Sequence, residues 1–168
     1  MSVAVVGLGN LILSDDGVGV HVVQYLNETF RFSDGVVVID GGTSAIDLLD
    51  QLIEAEHLIF VDAARTGGAP GTVVELEGAQ LPAWFRQRMS PHQVGLADLL
   101  ATLTLMDHAP KSVTLIGIEP QSMELGTELT AAVRAAVVTA ATKVLAKLSA
   151  FGFDVVACPA DTETRLCA

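Results

Sequence analysis

Three aspartates and one histidine have the residue types and the placement to do chemistry together. Asp16 follows the glycine-rich turn GLGNLILSDD, Asp40 and Asp62 each close a short apolar run, and His92 stands in the segment SPHQ. Asp16 is expected by the positive end of a helix dipole, which favours a charged carboxylate. The same dipole disfavours an imidazolium at His92, and a neutral imidazole is the form that ligates metal. Two carboxylates and one imidazole suit a borderline divalent ion such as nickel, zinc or manganese, with coordination positions left open. A strand-end aspartate such as Asp40 or Asp62 also commonly does no more than cap a turn. Their expected convergence with Asp16 on one edge is what makes them candidates.

The elements that must hold these residues follow from hydrophobic period and punctuation. Val3 to Val6 reads as a buried strand, after which Gly7, Gly9 and Asn10 permit a sharp turn because all three tolerate positive φ. Ser14 or Asp15 is the expected cap of a helix over residues 17–30, with apolar positions at Val18, Val22, Val23 and Leu26. Val36 to Ile39 reads as a second buried strand, a helix capped by Ser44 follows, and Leu58 to Val61 is a third strand. Only nine residues separate Asp62 from Thr72, too few for a helical crossover, so Thr72 to Leu76 is expected antiparallel to the third strand. Trp84 and Phe85 read as core packing. Ser90 and Gln93 frame a capping box with Pro91 at the first helical position, opening a helix to about Leu105. Val113 to Ile118 is a further strand, Thr130 caps a helix reaching Ser149 that Gly152 ends, and Phe153 to Ala157 is expected as a short edge strand. A loose tail is expected from about residue 158.

This alternation predicts one α/β domain over residues 1–168. It is a three-layer sandwich with a mainly parallel five-stranded sheet, one antiparallel strand, and helices on both faces. Ligands in such sheets bind beyond the carboxyl ends of the strands, where the three aspartates are expected. The turn is not a dinucleotide fingerprint. Ile12 stands where the third glycine belongs, and Asp15 and Asp16 would repel a pyrophosphate.

Composition narrows the function further. The 168 residues are 51% hydrophobic and 17% charged, with a formal charge of −11, which disfavours a nucleic-acid partner. No apolar stretch reaches membrane-spanning length. The amino terminus is a poor signal peptide, and two cysteines, Cys158 and Cys167, without ligand spacing fit a reduced cytoplasmic setting. His21, His57 and His108 have no nearby partner and read as surface or satisfied residues. HExxH, GxSxG and P-loop motifs are missing.

GLGNLILSDDGVGV, DGGT at residues 40–43, VDA at 61–63 and SPHQVGLADLL at 90–100 together resemble the hydrogenase maturation proteases, in family order. The resemblance implies a cytoplasmic, phosphorylase/hydrolase-like endopeptidase; for its oligomeric state, which the sequence does not signal, a monomer is the default. Such an enzyme removes a carboxyl-terminal extension from the [NiFe]-hydrogenase large-subunit precursor after nickel insertion. It implies Asp16, Asp62 and His92 as metal contacts, Asp16 standing where many members carry Glu, and a catalytic role for Asp40 near the cleft. Nickel is then expected to arrive with the substrate, because the ligand set is incomplete without it. Two other readings are a non-enzymatic nickel-binding chaperone and a peptidyl-tRNA hydrolase-like enzyme. The second would continue the VGLGN turn with proline, where this chain has Leu11, and would need a basic surface.

Overall fold

The structure, a computed structural model, describes residues 2–78, 80, 81 and 91–158, without the side chains of 91–94. Trp84, Phe85, the Ser90–Gln93 box and the tail with Cys167 therefore lie outside the described residues or side chains. Apolar β-branched runs form the centre of the sheet: β1 (Val3–Leu8) and β4 (His57–Ala63) are buried at every position. They pair in parallel, and β6 (Ser112–Ile118) pairs in parallel on the far side of β4. The sheet order is β3-β1-β4-β6-β5, with β3 (Val36–Gly42) and β5 (Val73–Glu77) at the edges.

Helices cover both faces. One core cluster joins Val5, Ile59, Val61 and Ile116 to α1 (Val18–Thr29) and α4 (Ala131–Ala150) through Val22, Leu26, Val133 and Val144. The other joins Val6, Leu58, Phe60 and Leu115 to α2 (Leu49–Leu52) and α3 (Pro91–Leu105) through Leu52, Leu96, Leu99 and Leu103. Successive strand residues feed opposite clusters, as the pleat requires. Among the described residues no helix is long and apolar enough to cross a membrane.

Several expectations need correcting. β5 does run antiparallel, but its partner is β6, which lies between it and β4. β3 is a half-exposed edge strand rather than a buried one. The segment after Ser44 is a 3-10 turn, Ala45–Leu48, followed by a single α-helical turn, and no Ser44 side-chain cap forms. The last strand, β7 (Val155–Ala157), is not an edge of the main sheet. It pairs antiparallel with β2 (Phe30–Phe32), a strand the sequence did not signal, in a separate ribbon.

The glycine turn also works differently. Gly9 has φ 135°, as expected, but neither Gly7 nor Asn10 has positive φ. Gly7 serves close packing: a Cβ there would lie 2.2 Å from the Gly19 carbonyl oxygen. A Cβ at Gly19 would lie 2.1 Å from the Val61 oxygen and 2.3 Å from the Leu8 oxygen. Strand and helix thus touch backbone to backbone, the packing a third glycine gives in a dinucleotide fold, here supplied by Gly19.

Candidate active site

Asp16 lies in a 3-10 turn, Ser14–Gly17, immediately before α1 rather than within its first turn. It is 5% exposed, and its Oδ2 accepts the Asn10 N–H at 3.0 Å. The Gly9 N–H donates to the Gly42 oxygen, which ties this turn to the end of β3.

Asp62 is 1% exposed near the carboxyl end of β4. Leu58 and Phe60 belong to the core cluster covered by α3, so alternation puts Asp62 on that same face. The course of α3 then locates His92. The helix is followed by His108, whose Nδ1 is 3.1 Å from the Ile53 oxygen, and by Lys111, whose N–H donates to the Glu56 oxygen. Both contacts fall at the amino end of β4. A helix of 15 residues spans roughly 21 Å, about the length of a seven-residue strand. The start of α3 is therefore carried back to the carboxyl rim. A Cβ at Gly95 would lie 3.8 Å from the Ala45 nitrogen, just beyond the end of β3. The helix turn bearing His92 thus stands over the rim, and the His92 side chain lies outside the described side chains.

Asp40 is exposed in β3, opposite Gly7, and its Oδ1 accepts the Gly42 N–H at 3.0 Å. That is the turn-capping role open to any strand-end aspartate. Among the described residues no group of three His, Cys, Asp or Glu side chains gathers that could hold a metal ion. Asp16 and Asp62 supply two buried carboxylates, and the His92 side chain is not among the described ones.

The sequence reading missed two carboxylates that build the rim. Asp15 caps no helix. It is fully buried and receives the N–H groups of Gln121, Ser122 and Thr130 at 2.9, 2.9 and 2.7 Å, with the Thr130 hydroxyl at 2.9 Å. Burial alone would raise its pKa, but the bonds from Ser122, Thr130 and Gln121 outweigh it and hold the carboxyl below its ordinary value. Glu119, just past β6, does the same for the loop after Asp62. Its Oε2 receives the N–H groups of Thr66, Gly67 and Gly68 and the Thr66 hydroxyl. Here too burial is outweighed, by the Thr66 side chain and by these backbone groups. Neither residue sits in a local sequence pattern that names its partners, because these lie 51 to 115 residues away.

The other histidines divide. His108 is exposed, as expected for a surface residue. His57 is 8% exposed, its Nδ1 lies 2.7 Å from the Ser112 hydroxyl and its ring stacks on Phe151. His21 is half-buried, and burial lowers its pKa against an opposing pull from Glu128.

Known proteins give this rim a context. A family model described as HycI, hydrogenase maturation protease, matches residues 20–147. The chain is similar to the hydrogenase 2 maturation protease of Escherichia coli (strain K12), 38% identical over 157 residues, 93% of this chain and 96% of that one. It is also similar to the hydrogenase expression/formation protein HupD of Rhodobacter capsulatus, 39% identical over 155 residues, covering 91% and 74%. Among solved structures, the hydrogenase maturating endopeptidase HybD from E. coli superposes with a TM-score of 0.88 at 38% identity, over 94% of this chain and 98% of that one. The [NiFe] hydrogenase maturation protease HybD from Thermococcus kodakarensis gives 0.75 at 29% identity, over 88% and 99%. Similarity over nearly the full length of a named protease and of its solved fold leads to one conclusion: the chain belongs to the hydrogenase maturation protease family and is a processing endopeptidase.

Proposed function

We propose that this endopeptidase removes the carboxyl-terminal extension of a [NiFe]-hydrogenase large-subunit precursor in the cytoplasm, and that it recognises nickel already inserted in that substrate. The observation that carries the reading is the pair of buried carboxylates, Asp16 and Asp62, on the rim that the start of α3 overhangs. Asp16, Asp62 and His92 are assigned to the substrate's nickel, and Asp40 to the peptide beside it.

The donor chemistry supports a metal that arrives with its own ligands. Carboxylates and imidazole are hard to borderline donors, and tight nickel binding in a protein gains from soft thiolates. The described cysteine, Cys158, is held at the other end of the molecule, its N–H donating to the Thr29 oxygen at the end of α1. Nickel held by precursor thiolates would gain hard ligands only on docking, which couples binding to a loaded substrate. The ion would supply Lewis-acid polarisation of a nearby carbonyl. The chain's own part is to hold the Asp16 carboxylate in place through the Asn10 amide and to fix the loop that follows Asp62 through Glu119.

The test incubates chelator-treated protease with apo or nickel-loaded precursor and follows trimming by mass spectrometry. Only the loaded precursor is expected to be cut. Equal cleavage of both would overturn substrate-borne recognition, and binding without cleavage would favour a chaperone.

A further inference from the structure

We propose that Leu11, Ile12 and Leu125 form a rigid apolar platform that grips an aliphatic segment of the protein substrate beside Asp16. This rests on the peptidase reading above and adds where the substrate is held. The three residues are 39%, 57% and 83% exposed. Leu11 and Ile12 directly follow Asn10, whose amide holds the Asp16 carboxylate. Leu125 is brought alongside by its neighbour Gly126, which donates to the Ile12 oxygen at 3.1 Å and accepts from the Ser14 N–H at 2.7 Å. Leu13 and Gly126 form a parallel bridge there.

Two chain segments more than 100 residues apart are thus joined at the reacting edge, and their joint is unusually firm. The Ser14 hydroxyl donates to the Glu128 oxygen at 2.9 Å, and Ser14 is held at φ 52°, a conformation serine adopts at a cost. Asp15 adds its four bonds to the same loop. Firm backbone under exposed aliphatic side chains is a pre-organised contact surface, since little freedom remains to be lost on binding. Exposed apolar groups continuous with a reacting edge mark where a partner sits. The occupant is the substrate itself, because the three residues are continuous, through Asn10 and Gly126, with the turn that holds the Asp16 carboxylate. Its matching segment is aliphatic by complementarity, and the formal charge of −11 disfavours an acidic one.

The test combines Ile12→Ser and Leu125→Ser in the full chain, with Leu105→Ser as control. Leu105 is 86% exposed at the far end of α3, away from the rim. Affinity for nickel-loaded precursor, trimming kinetics and melting temperature are measured for each. The double variant is expected to raise KM and Kd about tenfold with kcat and melting temperature unchanged, while the control matches wild type. Trimming with unchanged KM and Kd would overturn the platform and leave the peptidase reading standing. A wild type that binds the precursor without cutting it would end the peptidase reading, and Kd would still decide the platform. A wild type that neither binds nor cuts would overturn both.

Discussion

Asp15→Ala is the perturbation that most directly tests how the rim is built. The substitution removes a fully buried carboxylate and strands three backbone N–H groups, those of Gln121, Ser122 and Thr130. Each buried donor left unmet costs about 1–3 kcal/mol, and the Thr130 hydroxyl escapes by rotating. Water entering the small void recovers part of the loss, so the expected destabilisation is about 3–5 kcal/mol. In a chain of this size that lowers the melting temperature by roughly 10 °C. Asp15→Asn keeps one acceptor oxygen but turns an amide against a donor, so it should fall between wild type and Ala. The pH dependence gives a second check. The folded pKa of Asp15 is depressed, so its contribution is complete above the unfolded value of about 3.9 and lost as pH falls through the folded value. The gap between wild type and Asp15→Asn in urea melts should therefore be constant near neutrality and shrink at acid pH. A destabilisation below about 1 kcal/mol for Asp15→Ala, or a gap that does not change with pH, would refute the reasoning.

Gly19→Ala should be among the most damaging single-methyl changes available, because the new Cβ would meet two backbone oxygens at 2.1 and 2.3 Å. α1 would have to lift off the sheet, and loss of a cooperative urea transition or a melting temperature lowered by about 10 °C or more is expected. Glu119→Gln weakens the bonds to Thr66, Gly67 and Gly68, and hydrogen exchange at these amides should quicken about tenfold while amides of β1 keep their rates. His92→Ala should abolish precursor trimming with an unchanged circular dichroism spectrum, since truncating one side chain in the first turn of a helix leaves the backbone bonds of that helix in place; full trimming would remove His92 from the mechanism.

The layers of the fold were legible because they depend on local period. The apolar runs of β1 and β4 and the 3.6-residue spacing of α1 are written in consecutive residues. What stayed hidden depends on distant pairings. Nothing around Val73–Glu77 says that β6 will lie between it and β4, since that pairing joins segments far apart in the sequence. Asp15 read as a helix cap because its neighbours fit that pattern, whereas its partners come from 106 to 115 residues on. The carboxyl-end placement of Asp16, Asp40 and Asp62 was readable from strand order alone. The tie between Gly19 and two carbonyl oxygens was not, because a glycine inside a helix looks like a weakness until its neighbour is known.

The register of the central strands sets a ruler along the rim. Gly7 of β1 lies opposite Asp40 on one side and Val61 on the other, so Asp40 and Asp62 stand on strands two apart. At about 4.8 Å per strand their Cα atoms are separated by roughly 10 Å. The register also puts Asp40 in line with Gly7 and Val61, on the face opposite Asp62, and an extended peptide crosses the spacing in about three residues. A chain laid across the strand ends therefore meets the two aspartates at different positions in its own sequence. On the proposed function, changes at Asp40 should alter which residue is accepted about three places from the one at Asp62, which would make the spacing of the sheet a reading frame for the substrate.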